Sequence, residues 1–197
     1  LFQIGDLLSN GDMGFVDLTK AIEYFSKSIK IHNGFRKIYD LNGPNKIQYE
    51  ANNFRYISYN NLGLIYLIEY NDLQKAEDNL KESAFAEYPY GQNNFGLFCQ
   101  FYLNEIGNAE YMFQRSSKHK FSLAEYNLGY LKEIQNKPEE SIEYYIQASE
   151  HEDEQLEFRD AKYYDRRFEI SRTFIICYTN LKLVEHFFSI NEYKKSK

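Results

Sequence analysis

Tryptophan is absent from this 197-residue chain, cysteine occurs twice, proline three times and glycine ten times. The two cysteines, Cys99 and Cys177, lie far apart, so neither a disulfide framework nor a cysteine metal site can be assembled from them. A reducing, cytoplasmic setting is the resulting expectation. Long apolar runs are also missing. Charge interrupts the sequence every few positions, and nothing approaches the roughly 18 to 20 apolar residues of a membrane-spanning helix, which excludes membrane insertion of this segment. Lys and Arg total 23 against 29 Asp and Glu, for a formal net charge of −6, and the basic residues form no cluster. The electrostatic basis for displacing phosphate counterions is lacking, so nucleic acid is not an expected partner. The chain starts at Leu1 rather than Met and stops in a Lys-rich run at Lys197, which points to a piece of a longer polypeptide.

What is present is aromatic and periodic. Tyr contributes 19 residues and Phe 16, and nearly all Pro and Gly fall between periodic segments, as expected of long helices with ring-filled cores. Self-similarity is plain. Asn61-Leu62-Gly63, Asn94-Phe95-Gly96 and Asn127-Leu128-Gly129 follow one another at 33-residue intervals. After each Gly comes a second block in register: Ala76, Leu80, Ser83 and Ala84; Ala109, Phe113, Ser116 and Ser117; Ser141, Tyr145, Ala148 and Ser149. Small residues at 0, +7 and +8 with a large one at +4 form one helix face. Ile4-Gly5 with Ala21, Phe25, Ser28 and Ile29 is an earlier copy, and Asn180-Leu181-Lys182 opens a partial one in which Lys replaces Gly. Each unit reads as helix A, turn, helix B. Asp17 and Asp72 stand where an N-cap belongs. Asn136-Lys137-Pro138-Glu139-Glu140 starts the fourth helix B with Pro and carboxylates, and Pro89 and Gly91 separate the second unit from the third. A Gly inside helix A costs about 1 kcal/mol relative to Ala, so its recurrence predicts close approach of the partner helix.

The run Gly5-x2-Leu8-x2-Gly11-x4-Val16-Asp17-x2-Lys20-Ala21-x2-Tyr24-Phe25-x2-Ser28 resembles the Sel-1-like repeat, a relative of the tetratricopeptide repeat. The likeness covers residues 1 to 33, 55 to 89, 91 to 120 and 122 to 150, and more weakly 170 to 197. Copies two to four run 12 or 13 residues from Gly to the small residue instead of 16 and look intermediate between the two families. The sequence departs from the pattern at Lys182 and at Asn79. The resemblance implies an all-α, right-handed solenoid of antiparallel helix pairs as a single repeat domain. Residues 34 to 54 and 151 to 169 exceed the period, and are read as inserted loops or extended first helices.

No catalytic constellation is visible. His32, His119, His151 and His186 occupy non-equivalent repeat positions, and no pair has metal-ligand spacing. Cys99 and Cys177 sit in apolar stretches and read as small core residues. Gly11-Asp12-Met13-Gly14 lacks the Lys-Ser/Thr of a phosphate loop. No cofactor, metal or enzymatic activity is therefore expected.

A binding surface remains, and the resemblance implies a groove lined by the A helices. There Asn61, Asn94, Asn127 and Asn180 form a ladder able to grip a peptide backbone, with Leu64, Leu97 and Tyr130 beside it. The same amides can equally bond backbone or the adjacent repeat and fix stacking. Tyr24, Phe25, Phe113, Tyr144 and Tyr145 are assigned to the core. The expected function is a non-catalytic scaffold or adaptor that binds a peptide or partner helix. The alternative is a structural spacer in a multidomain protein, for example beside a kinase or ubiquitin-linked domain. Apolar helix faces left open at both ends predict end-to-end association.

Overall fold

The computed structural model describes residues 1–10, 14–38, 46–85, 88–151 and 172–195, and every regular element among them is helical. In chain order these are α1 (Phe2–Asn10), α2 (Leu18–Ile38), α3 (Lys46–Ile68), α4 (Leu73–Ala84), α5 (Pro89–Phe98), α6 (Ile106–Ser117), α7 (Ser122–Ile134), α8 (Pro138–Glu150) and α9 (Arg172–Lys195). A π turn, Cys99–Leu103, prolongs α5. From α1 to α8 each helix packs chiefly on the next in sequence, and α9 packs on α8. The Gly-bearing helices α3, α5 and α7 also touch in that order.

Local chemistry sets the helix ends. Asp17 Oδ1 accepts from the Lys20 amide at 3.0 Å, and Asp72 Oδ1 from the Lys75 amide at 3.1 Å, so both predicted caps form. The preceding A helices close on asparagine. Asn71, Asn104 and Asn136 have φ of 50°, 56° and 59°, a left-handed conformation that Asn tolerates better than most side chains. The amide after each then returns to the helix end: Asp72 to the Tyr66 carbonyl, Glu105 to Cys99 and Lys137 to Lys132, at 2.9, 2.8 and 3.0 Å.

Packing explains the repeated Gly. A Cβ on Gly63 would stand 2.6 Å from Leu80 Cγ, on Gly96 2.6 Å from Phe113 Cε1, and on Gly129 2.5 Å from Tyr145 Cδ1. Each of those large side chains is the +4 residue of its own unit, and all three are buried. Gly5 meets Phe25 in the same way, at 3.0 Å. The propensity cost inside helix A is thus offset by direct seating of a ring or Leu on its backbone.

Two expectations change, and a third, left between an inserted loop and an extended helix, is resolved. Gly91 is no separator: it lies within α5, where a Cβ would come 2.2 Å from Ser83 Oγ. Cys177, expected in the core, is exposed, whereas Cys99 is buried. The surplus at 34 to 54 is largely helix, since α2 runs on to Ile38 and α3 starts back at Lys46; the rest of it, 39–45, lies outside the described residues. So does the second surplus beyond His151. At the two ends, Leu1, Ile4 and Leu7 and then Leu181, Val184, Phe187 and Phe188 are exposed.

Candidate functional site

Three of the four asparagines expected to line a groove, Asn61, Asn94 and Asn127, belong to a hydrogen-bonded relay instead of a row of open amides. Asn127 Nδ2 donates to Asn93 Oδ1 at 2.8 Å, and Asn94 Nδ2 donates to Asn60 Oδ1 at 2.8 Å. Within each adjacent pair a longer contact continues the chain, from Asn93 Nδ2 to Asn94 Oδ1 and from Asn60 Nδ2 to Asn61 Oδ1, both at 3.4 Å. Five amides in α7, α5 and α3 are thereby linked in one direction, and all five are buried. Away from water such a chain polarises along its length and fixes every amide orientation.

The relay stops for a chemical reason. Its acceptors stand three residues before the repeated Gly and its donors two before. In the first unit the acceptor position holds Phe2, and Asn61 Nδ2, fully buried, has no hydrogen-bond partner. In the fourth it holds Tyr126, so Asn180 of α9 finds no amide there and is exposed. Asn60 and Asn93 were not singled out from sequence, although the doublets Asn60-Asn61 and Asn93-Asn94 announce them. Of the apolar residues expected beside the ladder, Leu64 is buried, Leu97 is half-buried and Tyr130 is exposed.

Two ionic clusters on α7 complete the fastening. Lys132 is nearly buried and reaches Glu110 of α6 at 2.6 Å and Glu140 of α8 at 3.2 Å; Gln135 Nε2 also donates to Glu110, at 3.2 Å. Burial pulls the Lys132 ammonium down, but the two carboxylates outweigh it and hold it above its usual range. The Lys132 ammonium in turn holds Glu110 below the usual carboxylate range. On the next residue, Glu133 Oε2 accepts from the Tyr145 hydroxyl at 2.8 Å and the Tyr178 hydroxyl at 3.2 Å, while Oε1 accepts from Lys182 Nζ at 2.7 Å. Burial pushes Glu133 up, yet the Lys182 and tyrosine donors hold it below 4.5. Lys182 is raised above 10.5, first by its bond to Glu133. The Lys at the Gly position of the last unit therefore ties α9 back to α7. Tyr126, Tyr145 and Tyr178 cluster beside this site, with centroids 5.3 to 5.5 Å apart. Burial drives the Tyr145 hydroxyl far up and the Tyr126 hydroxyl to about 12.

This arrangement predicts a pH response. A depressed carboxyl pKa contributes stability above its unfolded value of 4.5, which is lost as pH falls through the folded value; the raised Lys182 contribution persists until pH rises well past 10.5. Docking of α9 should therefore weaken on acidification, by about 1 to 2 kcal/mol for this half-exposed cluster. Hydrogen exchange of α9 followed from pH 6 to pH 3 should report it, with Glu133→Gln flattening the acid limb. Identical acid limbs in the two proteins would mean that other carboxylates govern.

The titratable groups meet as structural pairs. His151 Nδ1 lies 2.7 Å from Glu125 Oε1, and His32 Nδ1 lies 2.6 Å from the Ser28 carbonyl. His119 follows α6 and His186 lies on α9, so the four rings do not converge. Burial pushes the Cys99 thiol up to about 11. Among the described residues no three His, Cys, Asp or Glu side chains gather as metal ligands would, and no helix is long and apolar enough to cross a membrane. No family model, curated protein or solved structure matches the chain.

Proposed function

We propose that the chain is an α-solenoid of Sel-1-like, tetratricopeptide-like helix pairs acting as a non-catalytic protein-interaction scaffold. The observation that carries this reading is a set of apolar side chains left in solvent at one position of the last three units, where Ile68 of the second unit packs on the core instead. Phe101 and Ile134, each five residues after the repeated Gly, and Phe187, five after Lys182, are 63%, 53% and 66% exposed. Tyr102 and Tyr130 extend the row. A helix that buries its other face gains nothing by keeping these groups wet, and apolar patches of this kind usually mark interaction sites. Aromatic side chains are the common anchors of such sites.

In this reading the asparagine relay and the α7 ionic clusters hold the helices in a fixed stack, and the exposed row presents itself to a peptide or partner helix. The test is affinity capture with the chain as bait beside a Phe101→Ser, Ile134→Ser variant of equal helicity and melting temperature. A partner retained by the first and lost by the second supports the scaffold. Equal retention, or none, counts against it. The committal of the asparagine amides to stacking favours a second reading, a spacer between other domains. A spacer keeps its host active when exchanged for an unrelated solenoid of equal length.

A further inference from the structure

The apolar side chains left in solvent at the ends of α5 and α7 stand beside carboxylates. Phe101 and Tyr102 lie in the π turn. The Glu105 amide returns to the Cys99 carbonyl at 2.8 Å, which holds Glu105 at the foot of that turn as the N-cap of α6. Ile134 ends α7, the Lys137 amide bonds the Lys132 carbonyl at 3.0 Å, and Glu139 and Glu140 occupy the first turn of α8. Where an A helix passes into its B helix, the chain thus sets an exposed apolar group next to one or two acids.

The cations on this side are already engaged. Lys132 is shared by Glu110 and Glu140, Lys137 adds a second contact to Glu140 at 3.3 Å, and Lys182 is shared by Glu133 and Glu185. Glu105 and Glu139 are exposed, and no Lys, Arg or His among the described residues pairs with either. The Glu105 carboxylate accepts only from the Asn108 amide, at 2.7 Å. Three ammonium groups therefore answer six carboxylates. The helix dipole accounts for an acid at each helix start, but an exposed apolar group beside it gains nothing from the dipole. A negative excess of this kind repels anionic lipid and nucleic acid and draws cationic groups.

We infer that the segment docking on Phe101 and Ile134 is basic and amphipathic: its apolar anchors cover these side chains while flanking Lys or Arg reach Glu105 and Glu139. The inference rests on the scaffold reading above and narrows its partner. Lys and Arg fit such a rim because their stems cover apolar surface while the charged head stays in water. Charge at a rim acts mainly on the rate of encounter and the choice of partner, so the acids select and the apolar groups hold.

The experiment selects displayed random peptides of about 16 residues, enough for a four-turn helix, on the 197-residue chain. The Phe101→Ser, Ile134→Ser variant serves for counter-selection. Retained peptides should carry a net positive charge, with Lys or Arg within one helical turn of an aromatic or aliphatic residue. A synthetic copy of the strongest should bind about fivefold or more weaker to a Glu105→Gln, Glu139→Gln variant of equal helicity. Its affinity for the unaltered chain should fall by a similar factor as salt rises from about 50 to about 300 mM. Retained peptides that are neutral or acidic, or basic ones indifferent to both the Gln variant and salt, would overturn the basic partner and leave the scaffold standing. Failure to retain any peptide that distinguishes the chain from its Ser variant would overturn both.

Discussion

Asn93→Leu is expected to cost about 2 to 4 kcal/mol of stability, while Asn61→Leu changes it by less than about 1 kcal/mol, although both side chains are fully buried. The difference lies in their places in the relay. Asn93 is an interior member: its Oδ1 accepts from Asn127 and its Nδ2 donates to Asn94. Removing it leaves the Asn127 amide buried without an acceptor, and a buried group stranded in this way carries a desolvation penalty of about 1 to 3 kcal/mol in addition to the lost bond. Asn61 is the terminus. Its Nδ2 already has no partner, so Leu removes one desolvated donor at the loss of a single 3.4 Å contact from Asn60. Urea unfolding with an unchanged m-value measures both, and a double-mutant cycle between Asn93 and Asn127 should return a coupling of about 0.5 to 3 kcal/mol. Equal costs at the two positions would show that the relay is not what fixes the stack. A ligand-gripping ladder predicts another pattern, with Asn61→Leu lowering partner affinity at constant stability.

Gly129→Ala is expected to destabilise by about 2 kcal/mol, and Gly107→Ala to stabilise by about 0.5 kcal/mol. Both glycines lie in helices, and propensity alone favours Ala at each by up to about 1 kcal/mol. At Gly107 a new Cβ meets nothing within 4 Å, so propensity decides the sign. At Gly129 the Cβ would stand 2.5 Å from the Tyr145 ring. That ring is 1% exposed and is pinned at its far end by the Glu133 carboxylate, so it cannot swing aside. Overpacking of about 1 to 3 kcal/mol then exceeds the propensity gain. Thermal unfolding of the two variants side by side decides it, and a stabilising Gly129→Ala would refute the close-approach account of the repeated glycine.

Much of this was legible in the sequence because it depends on local rules with fixed spacing. The helical class follows from the 3.6-residue periodicity and the placement of Gly and Pro. The Asp17 and Asp72 caps follow from the need of a helix start for an acceptor. Close approach of a partner helix at Gly63, Gly96 and Gly129 follows from an unfavourable residue recurring in register, whereas the seating of Leu80, Phe113 and Tyr145 on them is seen only in the structure. The αL asparagines were equally visible in principle, as Asn71-Asp72, Asn104-Glu105 and Asn136-Lys137, each an Asn set just before the start of the next helix.

What the sequence determined by itself, then, is the period, the helix starts at Asp17 and Asp72 and the need for close approach at each repeated glycine, since these depend on positions close along the chain. Tertiary structure alone decided the destination of the asparagine amides, because a buried amide bonds only where the neighbouring helix supplies an acceptor: Asn60 and Asn93 do so, whereas Phe2 and Tyr126 hold the same position without one. It likewise decided that Lys182 closes on Glu133, two residues 49 positions apart that only packing of α9 on α8 brings together. Spacing along a chain fixes which groups need partners; which partners they obtain is set by the elements that fold against them.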